Sequence, residues 1–276
     1  MDNIIKDSRL EGRVAIVTGA GSRDSGIGNG RAAAILMARS GAKLALLDAM
    51  PDWAAETERM IREEGGESVV IEADVTQGAA CAEAVKRTVA KWGRVDILVN
   101  NVGIGGPPGD AVEVDIEAWD HAMRVNVTSM MLMAKYAIPE MRKLNAGSII
   151  NLASVAGLVG GHPSLLYPTS KGAVINLTRA MAAHHGHEGI RVNCIAPGMV
   201  YTPMVTSRGM SPALRESRRQ RSLLQTEGTG WDVGNAVRYL ASDESRWVTG
   251  TVLPVDAGAT AGAGRLPVPK SDGKRG

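Results

Sequence analysis

Short aliphatic runs alternate with helix-length amphipathic stretches along most of the chain. Residues 13–19 (RVAIVTG), 43–48 (KLALLD), 68–74 (SVVIEAD), 95–101 (VDILVNN), 147–154 (GSIINLAS), 190–198 (IRVNCIAPG) and 251–258 (TVLPVDAG) read as strands. Several are apolar throughout instead of alternating, as a strand covered on both faces must be. Between them lie GRAAAILMARSG (30–41), AACAEAVKRTVAKWG (79–93) and SKGAVINLTRAMAAHHG (170–186), helical stretches bounded by glycine. The pattern predicts an α/β domain, a doubly wound parallel sheet of about seven strands flanked by helices. Such sheets bind ligands at the carboxyl ends of their strands, where the winding reverses, so the chemical motifs should gather there.

The rhythm breaks at 202–229, where Pro203, Gly209, Pro212 and several arginines predict a mobile flap beside the site. No internal repeat is present, and residues 1–261 read as a single domain. The segment 262–276, rich in Gly, Pro and Lys, reads as a flexible tail.

Composition narrows the function classes. A net charge of +2 is too small for a general nucleic-acid binder, and 3% aromatics with no phenylalanine leave no platform for stacking bases. No apolar run spans a bilayer and MDNIIKDSRLEGR is no secretory signal, so a cytoplasmic enzyme with neither membrane nor nucleic-acid partner is expected. Cys81 and Cys194 lie far apart and outside any CxxC pattern. They read as reduced, packed thiols, and no metal is expected. His184, His185 and His187 read as a solvated helix terminus.

The first strand runs into TGAGSRDSGIGNG, where Gly19, Gly26 and Gly28 let backbone approach a pyrophosphate at the start of the next helix. A flexible turn would look similar, but the preceding strand and the following alanine-rich helix favour dinucleotide binding. Ser22, Arg23 and Ile27 belong to the same cradle. The second strand ends at Asp48, about 20 residues beyond the glycines, where a carboxylate accepts from an adenosine ribose and repels a 2′-phosphate. That argues for NAD over NADP. Arg23 argues the other way, because a guanidinium there reaches a phosphate.

At this point the chain resembles the short-chain dehydrogenase/reductase family, from about Arg13 to Gly258. The family's TGxxxGxG appears with three extra residues between Gly19 and Gly26. Asp74 and Val75 match the acid and aliphatic residue that flank the adenine. The family's NNAG appears as Asn100, Asn101, Val102 and Gly103, and its PGxVxT as Pro197, Gly198, Met199, Val200, Tyr201 and Thr202. The resemblance implies that Val200 holds the carboxamide, that Thr202 approaches cofactor oxygens, and that the protein is a homotetramer. The closing VDAG has Ala257 where the family has a second glycine, which implies a small local change.

SLLYPTSKGA places Tyr167 and Lys171 four residues apart, on one helical face. An adjacent ammonium and a cationic nicotinamide favour the phenolate, so Tyr167 reads as the general acid/base, with Lys171 beside it at the nicotinamide end of the cofactor site. Ser154, thirteen residues upstream at a strand end, is placed to bond the substrate oxygen. By resemblance alone, Asn126 is the fourth catalytic residue, holding a water that extends a proton relay from the lysine. Val155, His162, Met199 and Met204, with Leu158 and Val159, are candidates for an apolar substrate pocket carrying one polar group.

The expected reaction is NAD-dependent interconversion of a secondary alcohol and a ketone by hydride transfer. An NADPH-dependent 3-oxoacyl-thioester reductase is the alternative, motivated by Arg23 and by Arg215, Arg218, Arg219 and Arg221, which read either as anion-recognising or as a solvated helix face. A non-catalytic NAD-binding redox sensor is the alternative of another class.

Overall fold

Each of the seven apolar runs forms a strand of one parallel sheet. In chain order these are β1 (Val14–Thr18), β2 (Lys43–Asp48), β3 (Ser68–Glu72), β4 (Ile97–Asn100), β5 (Gly147–Leu152), β6 (Ile190–Pro197) and, after a small accessory pair, β9 (Val252–Val255). Their spatial order is β3-β2-β1-β4-β5-β6-β9. The computed structural model describes residues 9–23, 26–207 and 209–262. Positions 263–276 of the expected tail, Asp24 and Ser25 of the glycine loop, Arg208 of the flap and the first eight residues lie outside the described residues.

The unbroken apolar character of β1 and β4 follows from burial on both faces. In β1, Ala15 and Val17 join the core under helices α1 (Asn29–Arg39), α2 (Pro51–Glu63) and α9 (Gly230–Ala241). Ile16, between them, joins the opposite core under α3 (Gly78–Trp92), α5 (Ser129–Arg142) and α6 (Leu166–His185). Successive side chains point to opposite faces, so both must be apolar; each buried Val, Leu or Ile contributes roughly 1.5–3 kcal/mol. Close packing of α1 on α9 depends on Gly234, where a Cβ would meet the Ala32 backbone at 3.0 Å. No helix among the described residues is long and apolar enough to cross a membrane.

The chain leaves β1 toward β2 on one side and returns to β4 on the other, so the winding reverses between β1 and β4. Their carboxyl ends, Thr18 and Asn100, are register partners, and Asn100 is paired in turn with Asn151 of β5. The crevice therefore opens above these three strands.

The segment expected to form the flap has secondary structure of its own. Residues 202–229 hold two short helices, α7 (Pro203–Thr206) and α8 (Pro212–Arg219), and their base is closed by a parallel pair of strands, β7 (Val200–Tyr201) and β8 (Gly228–Thr229). The prolines that break the strand-helix rhythm stand at the first helical positions, where the missing N–H costs nothing, and Ser211 caps α8 by accepting from the Leu214 amide at 3.2 Å.

Candidate active site

Helix α6 begins one residue before Tyr167, and Pro168 is tolerated because it falls in the first turn. Ser164 ties this start down: its hydroxyl donates to the Pro107 carbonyl at 2.8 Å and accepts from the Tyr167 amide at 3.4 Å. One turn on, Lys171 is 4% exposed; its Nζ lies 5.9 Å from the Tyr167 ring centre and donates to the Leu152 carbonyl at 2.9 Å. Burial pulls the ammonium down to about 8. Ser154, just past the end of β5, accepts from the Ala156 amide at 3.2 Å and starts a short 3-10 turn, Val155–Gly157.

The chain's own groups act on the phenol without the nicotinamide charge on which the expected ionisation also rests. Burial pushes Tyr167 above its ordinary value, and the Ser154 hydroxyl opposes this only in part. The lysine sits behind the ring, tied to main chain, so the chain's own groups do not by themselves favour the phenolate.

Asn126 is fully buried within a π-helical turn, Arg124–Thr128, between α4 (Ile116–Met123) and α5. Such turns aim side chains that a regular helix would not. Its Oδ1 accepts from the Ile104 amide at 2.8 Å, and its Nδ2 donates to the Ile104 carbonyl at 2.9 Å and to Ser170 Oγ at 3.0 Å. Ser170 in turn donates to the Tyr167 carbonyl at 2.9 Å. Gly103 joins the two candidates: a Cβ on it would lie 3.1 Å from Lys171 Nζ and 3.4 Å from Asn126 Oδ1. Tyr167, Ser154, Lys171, Asn126 and Gly103 thus converge above β4 and β5.

The glycine loop lies across the reversal point. Gly19 has φ +61°, and its carbonyl accepts from Asn101 Nδ2 at 2.9 Å. Thr18 Oγ1 accepts from the amides of Asn101 (3.0 Å) and Val102 (3.4 Å), locking the end of β4 against β1. Asp48 accepts from the amides of Gly21 (2.9 Å) and Met50 (3.0 Å), leaving each carboxylate oxygen a further lone pair. Gly26 lies against Pro203 of α7, and Gly28 precedes α1. That helix has no side-chain cap and no acid in its first turn, so its leading amides suit an anion. The residues present therefore fit a dinucleotide.

Further out, Asp74 accepts from the Thr76 amide (2.9 Å) and hydroxyl (2.7 Å); burial raises its pKa, but these bonds outweigh it and the net shift is downward. Val75 is buried beside it. On the other side Pro197 ends β6, Gly198 is held where a Cβ would strike Asp256 at 2.6 Å, and Val200 and Thr202 are nearly buried.

The substrate candidates are less enclosed than expected. Val155 and Met199 are half-buried, while Leu158 (39%), Val159 (56%) and Met204 (66%) are exposed, so these five residues do not close a dry pocket. His162 lies against Tyr167 with ring centres 5.1 Å apart, and its Nδ1 accepts from the Ser164 amide at 3.1 Å. The flap arginines are largely engaged. Arg215 pairs with Glu227 and stacks 4.0 Å from the Tyr201 ring centre, Arg219 pairs with Glu216, and Arg218 donates to the Val200 carbonyl at 3.3 Å. Arg23 stacks over Trp53 at 5.7 Å.

Sequence reasoning passed over Gly21, Gly30, Thr18, Ser170 and Arg31. Arg31 had a visible signal, a cation between a glycine and a run of alanines, and Thr18 opens the TGxxxGxG pattern; Ser170 had none. Both cysteines are buried, each thiol raised to about 11 by burial, and no group of metal-ligating side chains occurs among the described residues. His185 pairs with Glu188 at 3.0 Å. A cavity of about 440 Å³ opens at the opposite, amino ends of the strands; among its charged walls Arg13 pairs with Asp96 and Asp243, and Arg191 donates to main-chain carbonyls.

Comparison with known proteins shows the family. The family profile described as "Enoyl-(Acyl carrier protein) reductase" matches residues 20–260. Cis-4-hydroxycyclohexanecarboxylate dehydrogenase of Sinomonas cyclohexanicum is 35% identical over 90% of this chain and 97% of its own. Meso-2,3-butanediol dehydrogenase of Serratia marcescens is 34% identical over 93% of this chain and 98% of its own. The crystal structure of levodione reductase superposes with a TM-score of 0.86 at 30% identity, covering 92% of this chain and 99% of that one. The chain belongs to the short-chain dehydrogenase/reductase family, nicotinamide-dependent oxidoreductases acting on alcohols and ketones.

Proposed function

We propose that the protein interconverts a secondary alcohol and a ketone with NAD, and that Tyr167 exchanges the hydroxyl proton. The observation that carries this reading is the placement of Tyr167 and Lys171 on one face of α6 beside Ser154, Asn126 and Gly103 at the carboxyl ends of β4 and β5. When bound, the nicotinamide ring takes up or gives the hydride and, oxidised, carries a positive charge. Gly19, Ser22, Arg23, Gly26, Ile27 and Gly28 hold the pyrophosphate, Asp48 the adenosine ribose, and Asp74 and Val75 flank the adenine. Asn101, Val102, Gly103, Pro197, Gly198, Val200 and Thr202 border the nicotinamide side.

Ser154 orients the substrate oxygen toward Tyr167 Oη. In the reductive direction the phenol donates its proton to that oxygen; in the oxidative direction it accepts the hydroxyl proton. Because burial holds the phenol up, ionisation near neutral pH depends on positive charge from the Lys171 ammonium and the oxidised ring together. Lys171, drawn down to about 8, is poised to pass a proton onward past Gly103 toward Asn126. Val155, His162, Met199 and Met204 border the substrate. By family likeness the enzyme works as a homotetramer, and light scattering checks the assembly.

The test is a panel of secondary alcohols and ketones followed at about 340 nm with NAD and NADP in parallel. Tyr167→Phe is expected to lower turnover by about 10²–10⁴-fold with NADH affinity nearly intact; equal turnover rejects the acid/base role. Preference for NADP overturns the role of Asp48, whose charge opposes a 2′-phosphate. Binding of NAD without turnover across the panel revives the redox-sensor reading. Arg215 and Arg219 are taken up by Glu227 and Glu216, which weakens the part of the thioester alternative that rests on them.

A further inference from the structure

Arg31 stands on α1 among alanines, and none of its surface reaches solvent (0%). Its guanidinium is spent on the back of the glycine loop. Nη1 donates to the Gly26 carbonyl at 2.7 Å, and Nη2 to the carbonyls of Ser22 at 3.2 Å and Trp53 at 3.1 Å. Nε donates to Thr57 Oγ1 at 3.0 Å, and that hydroxyl donates to the Ala20 carbonyl at 2.8 Å. Ser22 lies within, and Gly26 ends, the stretch from Gly19 to Gly26 in which this loop exceeds the family spacing by three residues. Burial lowers the guanidinium's pKa from its very high ordinary value, opposed by the charges of Glu56 and Asp48, so the group stays cationic.

A trans peptide places the C=O of one residue and the N–H of the next on opposite sides. The described residues hold no cis peptide. With the Ser22 and Gly26 carbonyls drawn in to Arg31, the amides of Arg23 and Ile27 are turned the other way, and neither donates to any described residue. A loop lengthened by three residues has more conformations available, and a carbonyl swung outward would present negative charge to a phosphate. One planar guanidinium that grips both limbs removes both problems at once.

We propose that Arg31 is a positioning residue for the dinucleotide pyrophosphate, a buried fork that turns the carbonyls of the enlarged loop inward so that the Arg23 and Ile27 amides face the phosphates. This rests on the reading of the loop as a dinucleotide site. Arg31 itself touches no phosphate; it acts through main chain. The requirement is geometric as well as electrostatic, so a lysine, with charge but no fork, restores it only in part.

The experiment measures the affinities of the full chain and of Arg31→Met and Arg31→Lys for NADH, ADP and adenosine, with far-UV circular dichroism confirming the fold. The expected result is a loss of roughly tenfold or more in affinity for NADH and ADP in Arg31→Met, a smaller loss in Arg31→Lys, and little change for adenosine, which has no phosphate. KM for NAD should rise far more than kcat falls. Equal affinity of Arg31→Met and the unaltered protein for NADH overturns the inference and leaves the dinucleotide reading standing, as does an equal loss for adenosine and ADP. Failure of the unaltered protein to bind any dinucleotide overturns both. Should Arg31→Met not fold, hydrogen exchange on the unaltered protein decides: NADH is expected to protect the Arg23 and Ile27 amides, and absence of protection overturns the inference.

Discussion

Lys171 keeps its ammonium at a position only 4% exposed, where burial draws its pKa from 10.5 down to about 8. The unfolded chain therefore holds more protons than the folded one between roughly pH 8 and 10.5, and this residue's contribution to stability rises with pH across that window. At pH 7 its burial costs on the order of 3 kcal/mol, partly offset by the bond to the Leu152 carbonyl, about 1 kcal/mol. Lys171→Met is accordingly expected to be no less stable than the unaltered protein at pH 7, by about 2 kcal/mol in its favour, while losing most turnover. Calorimetry from pH 7 to 10.5 should show the rise in stability in the lysine protein and a flatter curve in the variant; a drop of several degrees in the variant's Tm at pH 7 contradicts this. Tyr167 and Lys171 were legible as a pair from their spacing. The direction of the phenol's shift was not, because it depends on what covers the ring.

At the scale of elements, every strand was found, β2 to the residue, because burial on both faces leaves an apolar run, while the ends of β3, β4, β5 and β9 fall one to three residues inside the expected bounds. Elements set by capping or by local irregularity were less legible. The π-turn at Arg124–Thr128 looks like ordinary helix in sequence, yet it sets the position of Asn126. The prolines that break the strand-helix rhythm start α7 and α8. The junction of β1 with α1 carries its own prediction. A Cβ at Gly30 would lie 2.1 Å from the Gly19 carbonyl oxygen, whereas one at Gly28 meets only the Ser22 hydroxyl, at 3.1 Å. Gly30→Ala is expected to cost about 1–3 kcal/mol through overpacking, and Gly28→Ala clearly less. Paired thermal melts check the order, and a reversed ranking would show that the loop yields where backbone contact says it should not.

Across the whole molecule, the flap is joined to its base through Arg215, which pairs with Glu227 and stacks on Tyr201 beside the β7–β8 pair. The pair is largely exposed, so its weight is in ordering the flap and not in global stability. Glu227→Gln is expected to leave Tm unchanged within a degree or so while speeding proteolytic cleavage between residues 203 and 227 and raising KM for the alcohol. Unchanged cleavage would mean that the helices hold the flap without this tie. Periodicity, glycine punctuation and the spacing of Tyr167 from Lys171 are properties of neighbouring positions, and from them the sequence by itself determined the doubly wound sheet, the end of the sheet where the chemistry lies and the residues that converge there. Tertiary structure alone decided that Arg31 grips the glycine loop, that the flap arginines are mostly paired, that Met204, Leu158 and Val159 leave the crevice open, and that burial raises the phenol. Those outcomes depend on solvent exclusion and on hydrogen bonds between residues distant in the chain, which no local pattern encodes.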